Sequence, residues 1–413
     1  NPNSNAGIYG IGGNNNLTIT DVDLADNIGG SGFYANGPID NVLMNNVDAH
    51  GHTNINGAAR GIVIWNGHKS NITITNCEVY NNNCCGIELQ DGSGSGVNVS
   101  NNNVHDNWDN GIGLIGLDGT TASNLVNNNT VTDNGRFGIE IKNPNGNGTN
   151  TVISNNTVTQ SGSFVASRPS EVRDIAGIAV FRRGVTGSNV DVPNGVQVIN
   201  NTVSGYIQDN GASVSEGFGI VIEGTNHTAT GNTVSNNDVG LQQQAGHTPY
   251  PGDGNSNDIA DSYFGRGNSP MVCGNVVTPN TYSGNGTNTR AINVGGGIVT
   301  NTNTMEVFCS IQSAIDDANT LSGHTITVSN GTYIEDVNVT KSNLTITGQS
   351  RAGVIVKGLY TTGGVATLKF AGTAADNATV SNMTISRDYQ DWYGSTKNYG
   401  VLLSGGVNNV TLN

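Results

Sequence analysis

Charge is scarce in this chain. Only 11% of its 413 residues are Asp, Glu, Lys or Arg, too few for a coiled coil or a charged disordered tail. The charge that exists is mostly negative, a formal net of −15. An acidic surface repels phosphate backbones, which argues against a nucleic-acid partner. No run approaches 18 apolar residues, so no membrane span is expected. Cysteine is limited to Cys77, Cys84, Cys85, Cys273 and Cys309, and an odd number leaves at least one free or paired with another chain. No Cys-x-x-Cys pair occurs and His is scattered, so no metal site is expected. What fills the space instead is Gly, at 59 residues, and Asn, which is commoner still. Both are poor helix formers, and a helical bundle is excluded on that ground.

The Gly and Asn are not randomly placed. A phrase of Gly, a large apolar residue, any residue and usually another apolar one begins at Gly7, Gly32, Gly61, Gly86, Gly111, Gly138, Gly177, Gly219 and Gly240. Between these lies a second phrase, apolar-x-apolar-x-Asn-Asn-x-Val, as in VNVSNNNV (97–104). Both alternate with period two, the strand signal. The Asn and Gly clusters between them supply turns that need positive φ. A repeat of roughly 25 residues with short strands and no helix is one coil of a parallel β-solenoid.

Alternation also assigns directions. The residues one and three after each Gly point inward, giving two aliphatic stacks through Ile62/Ile64, Ile87/Leu89, Ile112/Leu114, Ile139/Ile141, Ile178/Val180 and Ile220/Ile222. In the second phrase, Cys77, Asn102, Asn129, Asn156, Asn201 and Asn232 share one position. That column predicts an Asn ladder, each amide bonded to the coils above and below. Cys77 occupies the same slot as a small buried residue.

On these motifs the chain resembles the right-handed parallel β-helix proteins of the pectin-lyase-like superfamily. The resemblance covers nearly the whole chain and implies an all-β solenoid in a secreted or cell-surface protein of bacterial type. The regular coils of residues 1–244 read as the carboxy-terminal part of one β-helix. Residues 245–305, rich in Gly, Pro, Asn, Ser and Thr, read as an irregular linker. Residues 306–413 read as a second β-helix. Its first residues carry a short capping helix, with Ser310 as N-cap and Ile311, Ala314, Ile315 and Ala318 at helical spacing. The cap is internal, and the two termini present open coils. This order predicts a longer parent protein and end-to-end stacking, within one chain or between copies.

The outward positions of the Gly phrase form a stripe of Trp65, Glu88, Gln90, Glu140, Lys142, Phe181 and Glu223, with His68, Asp91, Asp118, Arg182 and Arg183 in the turns beyond. In β-helix enzymes a polysaccharide lies along such a face. On that resemblance, carboxylates could act as a glycosidase pair, and Lys or Arg could abstract a proton beside a uronate carboxylate. Glu140 and Lys142 form the best central pair, with Glu88, Arg182 and Arg183 nearby. Trp65, Phe181 and Glu223 would contact the sugar. The competing reading is a solvated surface. The Asp-Phe-Ile-Phe-Gly, Gly-His-Gly, Tyr-Gly-x-Asp-Pro-His and Trp-x-Asp-His signatures of the superfamily's esterases, galacturonases, epimerases and lyases are absent.

Asp and Glu in the turns could bind calcium, but the calcium-binding nonapeptide repeat is missing, so no cofactor is expected. Cys273 and Cys309 flank the linker and could clip it to the second cap as a disulfide, in keeping with an extracellular location. The sequence therefore favours a structural or adhesive surface protein, not an enzyme. The alternative is a polysaccharide lyase, epimerase or glycoside hydrolase.

Overall fold

The computed structural model describes residues 6–54, 58–90, 92–119, 121–142, 150–161, 174–181, 193–208, 216–244, 272–292, 297–358, 366–387 and 399–413. Two compact units divide the chain, Asn1–Asn293 and Val294–Asn413.

In the first unit every Gly phrase becomes a strand of one ten-stranded parallel sheet. Its strands run in chain order from Ile8–Ile11 through Phe33–Asn36, Ile62–Trp65, Ile87–Gln90 and Ile112–Ile115. They continue through Phe137–Lys142, Ile175–Phe181, Gly217–Ile222 and Val239–Gln244 to Thr287–Ile292. Register is in phase from coil to coil: Ile87, Ile112, Ile139, Ile178 and Ile220 are successive partners. All six predicted inward pairs are buried in one continuous core. The Gly that opens each phrase is required by close approach. A Cβ on Gly111 would lie 2.6 Å from the Gly138 carbonyl oxygen and 2.8 Å from Val131 Cγ1.

The second phrase builds a fifteen-stranded sheet and explains why Asn comes in doublets. The first Asn turns the corner: Asn101, Asn128, Asn155 and Asn200 have φ of 58°, 55°, 56° and 56°, the left-handed region that Asn tolerates better than most residues. The second Asn is buried and forms the predicted ladder. Asn102 donates to Asn129 at 3.0 Å, Asn129 to Asn156 at 2.9 Å, Asn156 to Asn201 at 2.9 Å and Asn201 to Asn232 at 3.0 Å. At one end the Cys77 N–H donates to Asn102 Oδ1; at the other Asn232 donates to Asn280.

A second ladder, not anticipated, runs through Asn82, Asn107 and Asn134 at 2.8 and 2.9 Å, and resumes between Asn237 and Asn285 at 3.0 Å. Tyr206, fully buried, interrupts it, its N–H donating to Asn237. Two buried histidines sit among these columns. His52 Nδ1 accepts from the Asn27 N–H, and His227 Nδ1 accepts from the Val196 N–H. Burial is the first cause lowering both imidazoles to about 4.

The segment expected to be irregular is narrower than 245–305. Residues 272–292 complete a tenth coil, and Val299–Asn301 already pairs with Glu306–Phe308 in the second unit. The tenth coil escaped notice because the position continuing the aliphatic stack from Leu241 is Thr289, which is exposed. Residues 245–271 lie outside the described set.

In the second unit two three-stranded parallel sheets and one mixed six-stranded sheet repeat over short coils, for example Thr325–Val328, Thr345–Gly348 and Thr379–Ser381 in parallel register. The helix α1 (Ile311–Asp316) buries Ile311, Ala314 and Ile315, with the Ser310 hydroxyl accepting from Ser313 N–H as predicted. Its first N–H groups are also taken by the Glu335 carboxylate, at 2.8 Å from both Ile311 and Gln312 nitrogens. The helix stops at Asp316, so Ala318 falls outside it and is exposed.

Candidate functional site

The outward stripe of the ten-stranded sheet points away from the core, as alternation requires, but it is not a solvated face. Glu88, Gln90, Glu140, Lys142, Phe181 and Glu223 are all buried, and Trp65 is half-buried. A second apolar cluster, including Phe137, Ala179, Phe181, Phe218 and Val221, lies on this outer side. Sequence alternation identifies which way a side chain leaves the strand. It does not report what else packs there, and that is why burial was not foreseen.

The charges in this layer are paired. Lys142 Nζ lies 2.5 Å from Glu140 Oε1, and Asn110 Nδ2 donates to Glu140 Oε2 at 2.7 Å. Burial raises the Glu140 carboxyl above the ordinary glutamate value, and Lys142 offsets part of that. Two coils earlier, the Arg60 guanidinium pairs with Glu88 and donates to the Ala58 carbonyl at 2.9 Å. Gly113 stands between Glu88 and Glu140 in register and leaves room for both. Glu223 accepts from Gln244 Nε2 at 2.8 Å.

The aromatic faces proposed for sugar are occupied. Arg60 Cζ sits 5.0 Å from the Trp65 ring centroid, and Lys142 Nζ 5.4 Å from that of Phe181. The structure thus joins Glu140 to Lys142, as predicted, but as an enclosed ion pair. Of the turn residues, His68 is exposed and bonds to Ser93; Asp91, Arg182 and Arg183 lie outside the described residues.

A different cluster faces outward on the fifteen-stranded sheet. His50, Tyr80 and His105 stack through three coils, with centroids 4.6 and 5.0 Å apart and planes within 13°. Carboxylates flank them: Asp23 lies 3.1 Å from His50 Nε2, Glu78 3.2 Å from His105 Nε2, and Asp106 2.8 Å from His105 Nδ1. Partial burial, then the charges of Glu78 and Asp48, raise the Tyr80 phenol. This strip was missed because the reading of the second phrase followed its inward residues. Its signal was present: the residue after each buried Ala49, Val79 and Val104 is His, Tyr and His.

The cysteines fall into two groups. Cys77, Cys84 and Cys85 are free thiols, and Cys273 and Cys309 are disulfide-bonded. Cys84, Cys85 and Asp109 bring their sulfur and carboxylate atoms within 4.8 Å of one another.

A family model described as right handed beta helix region matches residues 1–124. Among solved structures, the chain is similar to the A-module of the Azotobacter vinelandii mannuronan C-5 epimerase AlgE6. That match has 14% identity and a TM-score of 0.37, over 94% of this chain and 90% of that one. No curated protein matches the chain. The fold is a right-handed parallel β-helix. No helix among the described residues is long and apolar enough to cross a membrane.

Proposed function

We propose that the chain is a structural or adhesive β-helix module of a secreted or cell-surface protein. The observation that supports this is the enclosure of its best acid–base pair. Glu140 and Lys142 are buried and paired with each other, with Asn110 donating to Glu140 Oε2, so a polysaccharide on the surface has no access to either. The remaining design serves stiffness: aliphatic stacks and Asn ladders make each coil a template for the next. The strand Ile8–Ile11 pairs on one side only among the described residues. In this reading it accepts a further coil, from the same parent chain or another copy. The test has two arms. A screen against acidic and neutral glycans should show neither unsaturated products nor new reducing ends, and electron microscopy should show unbranched end-to-end particles. Turnover of any glycan, or short monomeric particles at high concentration, would overturn the proposal.

A carbohydrate-active role is the second reading, and it is supported by the half-buried, outward-facing strip His50–Tyr80–His105 with Asp23, Glu78 and Asp106. Imidazoles held by carboxylates beside a phenol are the side chains of general acid–base catalysis. Should the screen find turnover, activity would be lost in Tyr80→Phe or His105→Ala and kept in the double change Lys142→Met with Glu140→Gln. The opposite pattern would place the chemistry at Glu140.

A further inference from the structure

Cys84 and Cys85 are neighbours in the chain, and their sulfurs lie 3.1 Å apart. That is inside the ordinary contact distance of two unbonded sulfur atoms. Two thiolates on a common tetrahedral zinc, each about 2.3 Å from the metal, would sit farther apart than this, so the geometry favours a sulfur–sulfur bond over a shared cation. The surrounding backbone fixes the turn that carries them. The Cys84 carbonyl accepts from Asp109 N–H at 2.7 Å, and the Cys85 carbonyl accepts from Gly61 N–H at 3.0 Å. Arg60, which pairs with Glu88 on the next strand, is close enough to interact electrostatically with both sulfurs. The chain also contains disulfide-bonded Cys273 and Cys309, which belong to oxidising compartments.

We propose that Cys84 and Cys85 form a reversible vicinal disulfide, made by exchange with a low-molecular-weight disulfide such as oxidised glutathione. The thiolate of Cys84, the more accessible of the two at 8% against 2%, attacks one glutathione sulfur and releases one reduced glutathione. The Cys85 thiol then gives up its proton, with the Asp109 carboxylate beside it as acceptor. Its thiolate displaces the second glutathione. Two protein thiols and one glutathione disulfide become one protein disulfide and two reduced glutathiones. Hydrogen bonding to Cys84 and burial hold the Cys85 thiol well above its ordinary value, which makes this second step slow and faster at higher pH. Adjacent residues are only about 3.8 Å apart at Cα, short of the usual disulfide span of about 4.4–6.8 Å. The ring is therefore more easily reduced than a long-range disulfide. It closes the turn that delivers Glu88 to Arg60, so the oxidation state of this pair sets the rigidity of that corner.

The test uses the full chain equilibrated over a series of reduced-to-oxidised glutathione ratios, quenched in acid, denatured and alkylated. Trypsin releases residues 70–136 as one peptide, which contains Cys77, Cys84 and Cys85 with no internal Lys or Arg. Under oxidising ratios this peptide should take one alkyl group, on Cys77, and under reducing ratios three. In Cys77→Ala the numbers should be none and two. Three alkyl groups at every ratio, a persistent glutathione adduct, or a bond from Cys77 to either neighbour would overturn the proposal.

Discussion

Lys142 and Glu140 lie two residues apart on one strand with Nζ 2.5 Å from Oε1, and neither side chain exposes more than 3% of its surface. A pair held so far from water is sensitive to the loss of either member. Removing one charge leaves the other buried and uncompensated, at a cost of about 3–5 kcal/mol. Lys142→Met should therefore lower the urea midpoint strongly, and the double change Lys142→Met with Glu140→Gln should recover much of it. The pH response checks the sign. A carboxyl raised in the fold penalises the native state above its pKa, and the penalty fades as pH falls toward the ordinary value near 4.5. Lys142→Met should lose least, relative to the parent, at the acid end of that window. Equal loss at all pH values would mean that Glu140 is not the group left stranded.

His227 predicts the opposite slope. It is buried neutral, with a pKa lowered to about 4 from 6.5. The unfolded chain binds the proton more readily, so this group's contribution is full above 6.5 and is lost as pH falls through about 4. The shift corresponds to about 3 kcal/mol. Urea titrations at pH 7 and pH 4.5 should show the acid loss, and His227→Gln should flatten it. A variant with the parent slope would remove His227 as the cause.

Asn129 and Cys77 occupy equivalent slots and should respond unequally. Asn129 Oδ1 accepts from both the N–H and the side chain of Asn102, while its own amide donates to Val99 and Asn156. Asn129→Ala leaves several of these buried groups unpaired, for a loss of at least about 2 kcal/mol. Cys77→Ala removes a small buried side chain and a weak thiol donor to the Thr75 carbonyl, and should cost about 1 kcal/mol or less. Calorimetric melting of the two variants decides the order.

Ile112 is fully buried between Ile87 and Ile139. Ile112→Asp places an unpaired carboxylate in that stack, at a cost of several kcal/mol. A melting temperature equal to the parent's would refute the inward register.

We propose that the disulfide partner of Cys273 is Cys309. Non-reducing peptide mapping should recover residues around both as one linked species, separable by reduction. Recovery of either cysteine joined to a different peptide would disprove the pairing.

The repeat was legible because each coil writes the same physical demands in the same places. Gly111 is needed where Val131 and the next coil crowd it, and Ile112 and Leu114 fill the core. What the sequence concealed depended on surroundings. Glu140 and Lys142 read as water-facing by alternation, and only the outer cluster around Phe181 shows that they are enclosed. The tenth coil hid behind Thr289, polar where its predecessors are aliphatic. The strip of His50, Tyr80 and His105 hid for another reason: an outward row obeys no core-packing rule, so only stacking in three dimensions joins residues from three separate phrases.

Asn102 and Asn129 are 27 residues apart, Asn156 and Asn201 are 45 apart, and the bonds between the members of each pair are 3.0 and 2.9 Å. The amide column thus behaves as an index that is blind to contour length. A coil can take on eighteen more residues without its successor losing place, because the slots on either side keep their bond. Over evolutionary time that decouples two kinds of change. Excursions can be grafted, lengthened or deleted one coil at a time, and the interior never has to be re-solved. A designer lengthening one coil would insert between Asn156 and Asn201, where the sequence already holds eighteen residues more than between Asn102 and Asn129.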